Sequence, residues 1–496
     1  MSGPKLTALE AEVMAWLGKT ADKQVDTACA HVFLGAEAAW KIKRHADLGY
    51  ANFTTLERRK WALDRELEFN HAAAPDIYRA VRRITREPDG GLAIDGAGET
   101  VEHVLEMRRF DDGQVLAARP DAVTGELAEQ LGRTIAAVHA EAPLRPAGGL
   151  TALSFTVGSN AQLLRETCAG LDQDRVETMI ALTEAELERQ SPLLAARAAA
   201  GFSRRCHGDL HLGNILLENG APVLFDCIEF NDLLSDLDVL YDLAFLLMDL
   251  DFRGRRDAGV RALSGYVDEA ARRFPGELWA GLAALPLMLS VRAGVRAHVT
   301  AHSADPATAR AYVEAAIAHL SPPAPMLAAV GGLSGSGKSH FARAAAPLLG
   351  ASPGAVVLRT DEVRKRLLGI APTAPLDRAA YTPDFQARAY DEMFANAREA
   401  LNAGRAVVLD ATFLDPALRA RAHALAAECG VAFRGAWMQA PLEVLEARVA
   451  SRTGDASDAT VAVVREQAAL MLEPSGWPEV DATAPSDASA RAWLDA

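Results

Sequence analysis

The sequence has few cysteines and little that suggests secretion, and these shortages exclude whole classes of protein. Its five cysteines stand apart at positions 29, 168, 206, 227 and 429, and no CxxC pair occurs. This spacing indicates neither a disulfide framework nor a zinc site, so a reducing cytoplasm is the expected compartment. The first ten residues also contain no apolar core of the kind that a secretory signal needs.

Excess positive charge and a long apolar run are missing as well. Lys and Arg total 51 against 66 Asp and Glu, which gives a formal net charge of −15. We therefore expect neither nucleic-acid binding nor attachment to an anionic membrane. The apolar stretch 239–248 contains Asp242 and is too short to cross a bilayer. A chain of 496 residues that is half hydrophobic and 24% charged is typical of a globular protein with several domains. The sequence does not indicate an oligomeric state.

Three prolines within residues 321–325 mark the best domain boundary, because proline breaks helices and favours an extended connector. We predict one domain at 1–320 and another at 326–496. In the first, β-like segments suggest a small lobe at about 1–107, and helical patterns suggest a larger lobe at about 108–320. The second alternates strands and helices, which predicts a parallel sheet covered by helices. The predicted fold class is thus α/β in two domains.

The segment 332–339 reads GLSGSGKS and matches GxxxxGK[ST] at every fixed position. An apolar strand pattern precedes it and an alanine-rich helix pattern follows, as this phosphate-binding loop requires. Backbone amides and the helix N-terminus would hold phosphate oxygens, Lys338 would reach the β- and γ-phosphates, and Ser339 would ligate Mg²⁺. We therefore predict an ATP–Mg²⁺ site formed by Gly332, Ser334, Gly335, Ser336, Gly337, Lys338 and Ser339.

Two later strand patterns end in aspartate, at Asp361 and Asp410. Open α/β sheets bind ligands at the carboxyl ends of their strands. Either carboxylate would hold Mg²⁺ through water or orient an acceptor hydroxyl as a general base. We assign the catalytic role to Asp361 and the metal to Asp410, and helix capping is the alternative for both.

The loop, the Thr360-Asp361 pair followed by Arg364, and the segment LDAT at 409–412 together resemble the small P-loop kinases. That group includes gluconate kinase, chloramphenicol phosphotransferase, polynucleotide kinase and zeta toxins. The resemblance implies an arginine-bearing lid over the phosphates. Arg448 and Arg452 are the candidates for it, and solvated helix positions are the alternative.

A second motif lies at 206–217 and reads CHGDLHLGNILL, and a strand pattern ending in Asp226 follows it. These residues resemble the catalytic loop HGDxxxxN of the aminoglycoside phosphotransferase family, whose members are relatives of protein kinases that phosphorylate small molecules. The resemblance implies a bilobal, protein-kinase-like α+β fold. In such a fold Asp209 would accept the proton of the acceptor hydroxyl, Asn214 and Asp226 would hold Mg²⁺, and His207 would brace the loop.

The same fold implies a lysine on a small-lobe strand and a glutamate on the following helix. Lys41 and Lys43 share one face of a predicted strand, and Glu66 is the best helical partner. Lys41 is favoured, and Lys43 stays open. The hairpin before this strand has one glycine, Gly35, in place of GxGxxG, so we expect a different phosphate clamp. Glu229 is a candidate for contact with substrate or metal.

The order of the two modules resembles bacterial proteins described as an aminoglycoside phosphotransferase-like domain fused to an ATP-binding P-loop domain. We predict an ATP- and Mg²⁺-dependent phosphotransferase with two separate nucleotide sites and a small hydroxylated acceptor. A sugar or amino sugar is the preferred acceptor class. Two alternatives stay open. In the first alternative, one domain would be a non-catalytic nucleotide-binding regulator. In the second, the C-terminal domain would be a toxin-like kinase restrained by the N-terminal domain.

Overall fold

The computed structural model describes residues 6–496 except 28, 49–50, 72, 169, 275, 277, 303–304, 373, 375, 377–381, 452–458 and 471–474. The chain forms two compact units, Met1–Ala122 with Arg204–Leu237, and Val123–Ser203 with Asp238–Ala496. The bounds of these compact units differ from the domain boundary that the prolines at 321–325 predict. The boundary at 321–325 remains a prediction about sequence modules.

The first unit is built on an antiparallel sheet. Its first elements are α1 (Ala8–Leu17), β1 (Lys23–Asp26), β2 (Ala30–Leu34), β3 (Ala38–Lys43), α2 (Leu56–His71), β4 (Tyr78–Arg86), β5 (Leu92–Ile94) and β6 (Glu99–Arg108). The six strands lie in the order β1-β2-β3-β6-β4-β5. Buried residues of α2 recur three and four positions apart, from Arg59 to Asn70, so one face of this helix is turned inward and carries Glu66 with it.

The later part of this unit contains two two-stranded sheets. The strands here are β7 (Ser203–Arg205), β8 (Ile215–Glu218), β9 (Ala221–Leu224) and β10 (Asp236–Asp238). One sheet pairs β7 with β10, and the other is the β8–β9 hairpin. Ile215 at the start of β8 pairs with Leu224 at the end of β9. The loop before β8 and the loop after β9 are therefore neighbours, and Phe225 N donates a hydrogen bond to Asn214 O at 3.1 Å. Antiparallel pairing thus brings the two segments of the predicted catalytic motif together.

The second unit begins with a set of helices, and the predicted lobe bounds of about 108–320 stay a prediction. Its helices are α3 (Gly125–Glu141), α4 (Leu150–Thr167), α5 (Gln173–Ala199), α6 (Val239–Phe252), α7 (Arg256–Arg273), α8 (Leu285–His302) and α9 (Pro306–His319). Helices α3 and α7 approach closely at Gly132, where an added Cβ would lie 2.0 Å from Ala262 O. The segment Ala280–His302 is long and apolar enough to span a membrane, but 72% of its apolar window is buried, as in a core helix.

The second unit ends with a five-stranded parallel sheet between helices. Its elements are β11 (Met326–Gly332), α10 (Lys338–Ala345), β12 (Val356–Arg359), α11 (Thr360–Leu367), α12 (Pro383–Asn402), β13 (Val407–Asp410), α13 (Pro416–Glu428), β14 (Ala432–Gln439), α14 (Leu442–Ala450), α15 (Val461–Leu470), β15 (Glu479–Asp481) and α16 (Ser486–Asp495). The strand order is β12-β13-β11-β14-β15. This arrangement confirms the predicted parallel sheet and places the ends of β11, β12 and β13 at one edge.

Helix α7 covers the outer strand of this sheet. The backbone N–H of Val357 on β12 donates to Ser264 Oγ of α7 at 3.2 Å, and Arg256 Nε donates to Pro353 O at 3.1 Å. Val260 of α7 is fully buried within the hydrophobic core of the sheet. An edge strand would otherwise expose unpaired backbone groups. The helical lobe and the parallel sheet therefore share one packed interface.

Candidate active sites

The loop before β8 holds an aspartate and an asparagine in direct contact. Asn214 Nδ2 donates to the backbone oxygen and to Oδ2 of Asp209, both at 2.9 Å. The Asp209 side chain is 38% exposed, so a substrate can reach its carboxylate. The five-residue spacing that the sequence motif prescribes thus brings the predicted base and a predicted metal ligand together.

His207 joins this loop to the segment after β9. Its Nδ1 accepts a hydrogen bond from Asp209 N at 3.3 Å, so the ring proton lies on Nε2. Nε2 donates it to Phe225 O at 2.9 Å. The histidine therefore bonds both loops, as expected of a bracing residue.

Both lysines of β3 reach the same helical glutamate. Lys41 Nζ lies 2.6 Å from Glu66 Oε1, and Lys43 Nζ lies 2.7 Å from Glu66 Oε2. Their second partners differ. Lys41 contacts Asp226 at 2.8 Å, whereas Lys43 contacts Glu229 at 2.5 Å. Lys41 is thus the lysine beside the predicted metal ligand.

Burial and charge act in opposite directions within this cluster. Burial alone would raise the pKa of Glu66, but the charges of Lys41 and Lys43 outweigh it and lower that pKa to about 2. Burial disfavours the charge of Lys41, yet Asp226 and Glu66 raise its pKa well above the ordinary value. Burial raises the pKa of Glu229. The neighbouring charges thus favour the charged forms of Lys41, Lys43 and Glu66, whereas burial disfavours the charged form of Glu229.

Glu229 is turned inward, since it is only 4% exposed and bonded to Lys43. Arg65 Nε also donates to its backbone oxygen at 2.9 Å. Asp226, by contrast, has a side chain that is 46% exposed. Of these two carboxylates, Asp226 is the one open to a ligand.

Three residues that the sequence reasoning missed position this site. Asp226 has the left-handed φ of 61°, and its N–H donates to Tyr78 Oη at 2.9 Å. The next N–H, of Cys227, donates to Asn70 Oδ1 at 2.9 Å. His211 Nε2 lies 3.5 Å from Asp209 Oδ2. Asn70 follows Glu66 by one helical turn and His211 belongs to the motif, so both had a signal in the sequence, whereas Tyr78 had none.

The phosphate-binding loop adopts a conformation that requires its glycines. Gly332, Gly335 and Gly337 have φ of 138°, 83° and 80°, and a Cβ on Gly335 would lie 2.7 Å from Leu445 O. Ser336 Oγ is buried with no hydrogen-bond partner among the described residues. A buried hydroxyl left without a partner is what a phosphate-binding cradle would offer to its ligand.

Other loop residues contact protein groups. Lys338 Nζ donates to Leu333 O at 2.8 Å, and Ser334 N donates to Gln467 Oε1 of α15 at 2.8 Å. The sequence reasoning did not identify Gln467, which lies far beyond the loop in a helix without a motif. Lys338 is thus bonded directly to the backbone of the loop.

Arg359, at the end of β12, links the predicted metal ligands. Its guanidinium lies 3.2 Å from Ser339 Oγ, from Asp410 Oδ2 and from Glu362 Oε1. The side chain of Arg359 is 5% exposed. Ser339 and Asp410 thus both bond the same guanidinium, and their oxygen atoms are of the donor type that Mg²⁺ prefers. Arg359 was not predicted.

Three predicted residues of this domain remain, Asp361, Arg448 and Arg452. Asp361 pairs with Arg364 at 2.7 Å, and its side chain is 29% exposed. Arg448 donates to Ala482 O at 2.9 Å and lies near Gly337. Arg452 lies outside the described residues.

Comparisons with known proteins identify both modules. A model of the phosphotransferase enzyme family (APH) matches residues 54–285, and a model of an AAA domain (AAA_33) matches residues 327–474. The uncharacterized proteins Rv2004c and MT2060 of Mycobacterium tuberculosis and Mb2027c of Mycobacterium bovis are each 32% identical over 482 residues. The alignment covers 94% of this chain and 93% of each relative. The chain belongs to their family.

These matches confirm the resemblance to phosphotransferases and P-loop kinases that the motifs suggested. The chain is an enzyme of the small-molecule kinase type. Among solved structures, a gluconokinase from Sinorhizobium meliloti is 23% identical over 34% of this chain and 90% of its own, with a TM-score of 0.25. A choline kinase from Cryptosporidium parvum is 11% identical over 63% of this chain and 94% of its own, with a TM-score of 0.39. At these scores neither likeness contributes to the argument.

Proposed function

We propose that the protein is an ATP- and Mg²⁺-dependent phosphotransferase with two separate nucleotide sites and a small hydroxylated acceptor of the sugar or amino sugar class. The observation that carries the proposal is the pairing of Lys41 with both Glu66 and Asp226, in the unit that also holds Asp209 beside Asn214. Phosphoryl transfer depends on positioning and charge neutralisation, and these residues supply both.

At the first site each side chain has a distinct task. Asp209 has an exposed carboxylate that would accept the proton of the acceptor hydroxyl. Asp209 holds the amide nitrogen of Asn214, so the amide oxygen is the atom that would meet Mg²⁺ together with Asp226. Lys41, fixed by Glu66, would face the phosphates. Bound Mg–ATP would supply the phosphoryl group and offset its negative charge.

At the second site the loop 332–339 would bind the triphosphate. Ser339 and Asp410 would hold the metal, since both offer oxygen atoms and both bond the Arg359 guanidinium. Ser336 Oγ would gain the partner that it lacks among the described residues. Asp361, held by Arg364, would orient an acceptor, and Arg448 would contact the nucleotide. The substrate of this site is of the same class, a molecule with a free hydroxyl.

A second candidate function is regulation by the P-loop domain without phosphoryl transfer. The packing of α7 on β12 favours this regulatory function. A structural change that nucleotide binding caused in the sheet would pass through this packing to the helical lobe. In that case the first site alone performs the chemistry.

Two single substitutions separate these functions. ATP turnover is measured by ADP release over a panel of sugars and amino sugars, for Asp209→Ala and for Lys338→Ala. If both sites are catalytic, each variant loses turnover with a different set of acceptors. If the P-loop domain only regulates, Lys338→Ala changes the rate but leaves the set of acceptors unchanged. If Asp209→Ala keeps unchanged turnover with every acceptor of the panel, catalysis at the first site is refuted.

A further inference from the structure

A large cavity at the phosphate-binding loop has a wall that comes from the other sequence module. The cavity has a volume of about 1100 Å³. Gly335, Gly337 and Arg448 line one side of it, together with residues 482–486, and Gln130 and Thr134 of α3 line another. Helix α3 lies within the segment that the phosphotransferase family model matches.

Ion pairs hold α3 beside the loop. Glu129 of α3 accepts from Arg343 of α10, the helix that begins in the loop, at 3.1 Å. The same carboxylate accepts from Arg261 of α7 at 2.8 Å. Arg133, one turn further along α3, lies 3.5 Å from Glu362 of α11. The position of α3 is therefore fixed from both α10 and α11.

Close packing of α3 on α7 adds to this arrangement. A Cβ on Gly265 of α7 would lie 2.5 Å from Glu129 O, so only glycine permits this approach. Helix α7 in turn packs on β12. The wall is thus part of a continuous packed structure, which favours a preformed site over one that assembles on binding.

We propose that the nucleotide held by the P-loop is also contacted by α3, so that both sequence modules form this nucleotide site. The inference rests on the proposed binding of ATP by the loop. The cavity is large enough for a nucleoside triphosphate, because pockets for small molecules are typically about 300–1,000 Å³. Gln130 and Thr134 are one helical turn apart and present an amide and a hydroxyl to the part of the nucleotide that extends beyond the loop.

A charge placed at Gln130 tests this contact. Gln130 is exposed, so the full-length protein should tolerate Gln130→Lys and Gln130→Glu. The Kd for ATP is taken from the protection of amides 332–345 against hydrogen exchange, which reports this loop and not the first site. At low salt the lysine should lower Kd and the glutamate should raise it, each by about threefold or more. Added salt should shrink both shifts.

The control position is Val138, which is 40% exposed and lies further along the same helix, outside the cavity lining. Val138→Lys and Val138→Glu should leave Kd unchanged. Equal Kd values for the two Gln130 variants, or shifts of the same size at Val138, would overturn the inference while ATP binding by the loop stands. If ATP protects no amide of 332–345 in the unsubstituted chain, the proposed nucleotide binding itself fails, and this inference fails with it.

Discussion

Lys43→Met should destabilise the protein in a pH-dependent way, whereas Lys41→Met should mainly reduce activity. Both lysines bond Glu66, but only Lys43 also neutralises a second buried carboxylate. Its side chain is 1% exposed and that of Glu229 is 5% exposed. Without Lys43, Glu229 would be a buried acid that has lost its ion-pair partner.

The size of the effect follows from the two states open to Glu229 in this variant. An ionised, unpaired carboxylate in the interior costs about 3–5 kcal/mol. Protonation avoids that cost but requires about 1.4 kcal/mol for each pH unit above the ordinary pKa. That pKa is 4.5. We therefore expect a loss of about 3–5 kcal/mol at about pH 8 and about 1.5 kcal/mol at about pH 5.5.

The sign follows from the raised pKa of Glu229 in the folded state. Such a group favours folding at low pH, and this contribution is lost as the pH rises. In Lys41→Met, Glu66 keeps Lys43, and the half-exposed Asp226 stays hydrated. That variant should lose only about 1–2 kcal/mol, with little pH dependence between about pH 5.5 and pH 8.

The assay is urea unfolding at both pH values, read by pulsed hydrogen exchange of the peptide that covers β3, because a local probe avoids mixing the two units. Adding Glu229→Gln to Lys43→Met should restore most of the stability at about pH 8, since it removes the unpaired charge. Equal losses for the two lysine variants, with the same pH dependence, would refute the assignment of Lys43 to Glu229.

Three further predictions concern the two sites. Asp209→Asn should lower ADP release with the acceptors of the first site by about 100-fold or more and change ATP affinity by less than about twofold, as checked by initial rates and by titration with a fluorescent nucleotide. Ser336→Ala should leave the nucleotide-free protein equally stable or up to about 1 kcal/mol more stable, yet reduce the rise in melting temperature that ATP produces, as checked by thermal unfolding with and without ATP. Gly335→Ala should cost about 1–3 kcal/mol, because it strains a positive φ and crowds Leu445 O, and should abolish ATP protection of the loop, as checked by urea unfolding and hydrogen exchange.

Local motifs predicted most of the fold and much of the site geometry. The spacing of Asp209 and Asn214 within one loop determines their contact, so the sequence was sufficient for it. The strands and helices around residues 332–339 follow from alternating patterns, and the parallel sheet follows from them. The sequence favoured Lys41 but left Lys43 open, because both lie on one face and only their second partners distinguish them.

Contacts between distant residues that belong to no motif could not be predicted. Glu129 and Arg343 are 214 positions apart, and no pattern in either segment indicates the other. Arg359 stands just before Asp361 in the sequence, but its contact with Asp410 depends on the parallel register of β12 and β13, which sets the two residues opposite each other. Tyr78 bonds a backbone N–H in the loop after β9 through the packing of the first unit alone. The lid assignment of Arg452 stays a prediction.

The central claim is that one chain has two nucleotide sites built on different plans. Equilibrium dialysis with a non-hydrolysable ATP analogue and Mg²⁺ tests it most directly, through the number of molecules bound at saturation. The account predicts two per chain in the unsubstituted protein, and one per chain both in Lys338→Ala and in Lys41→Met. One molecule per chain in the unsubstituted protein, or a value that neither substitution changes, would contradict it.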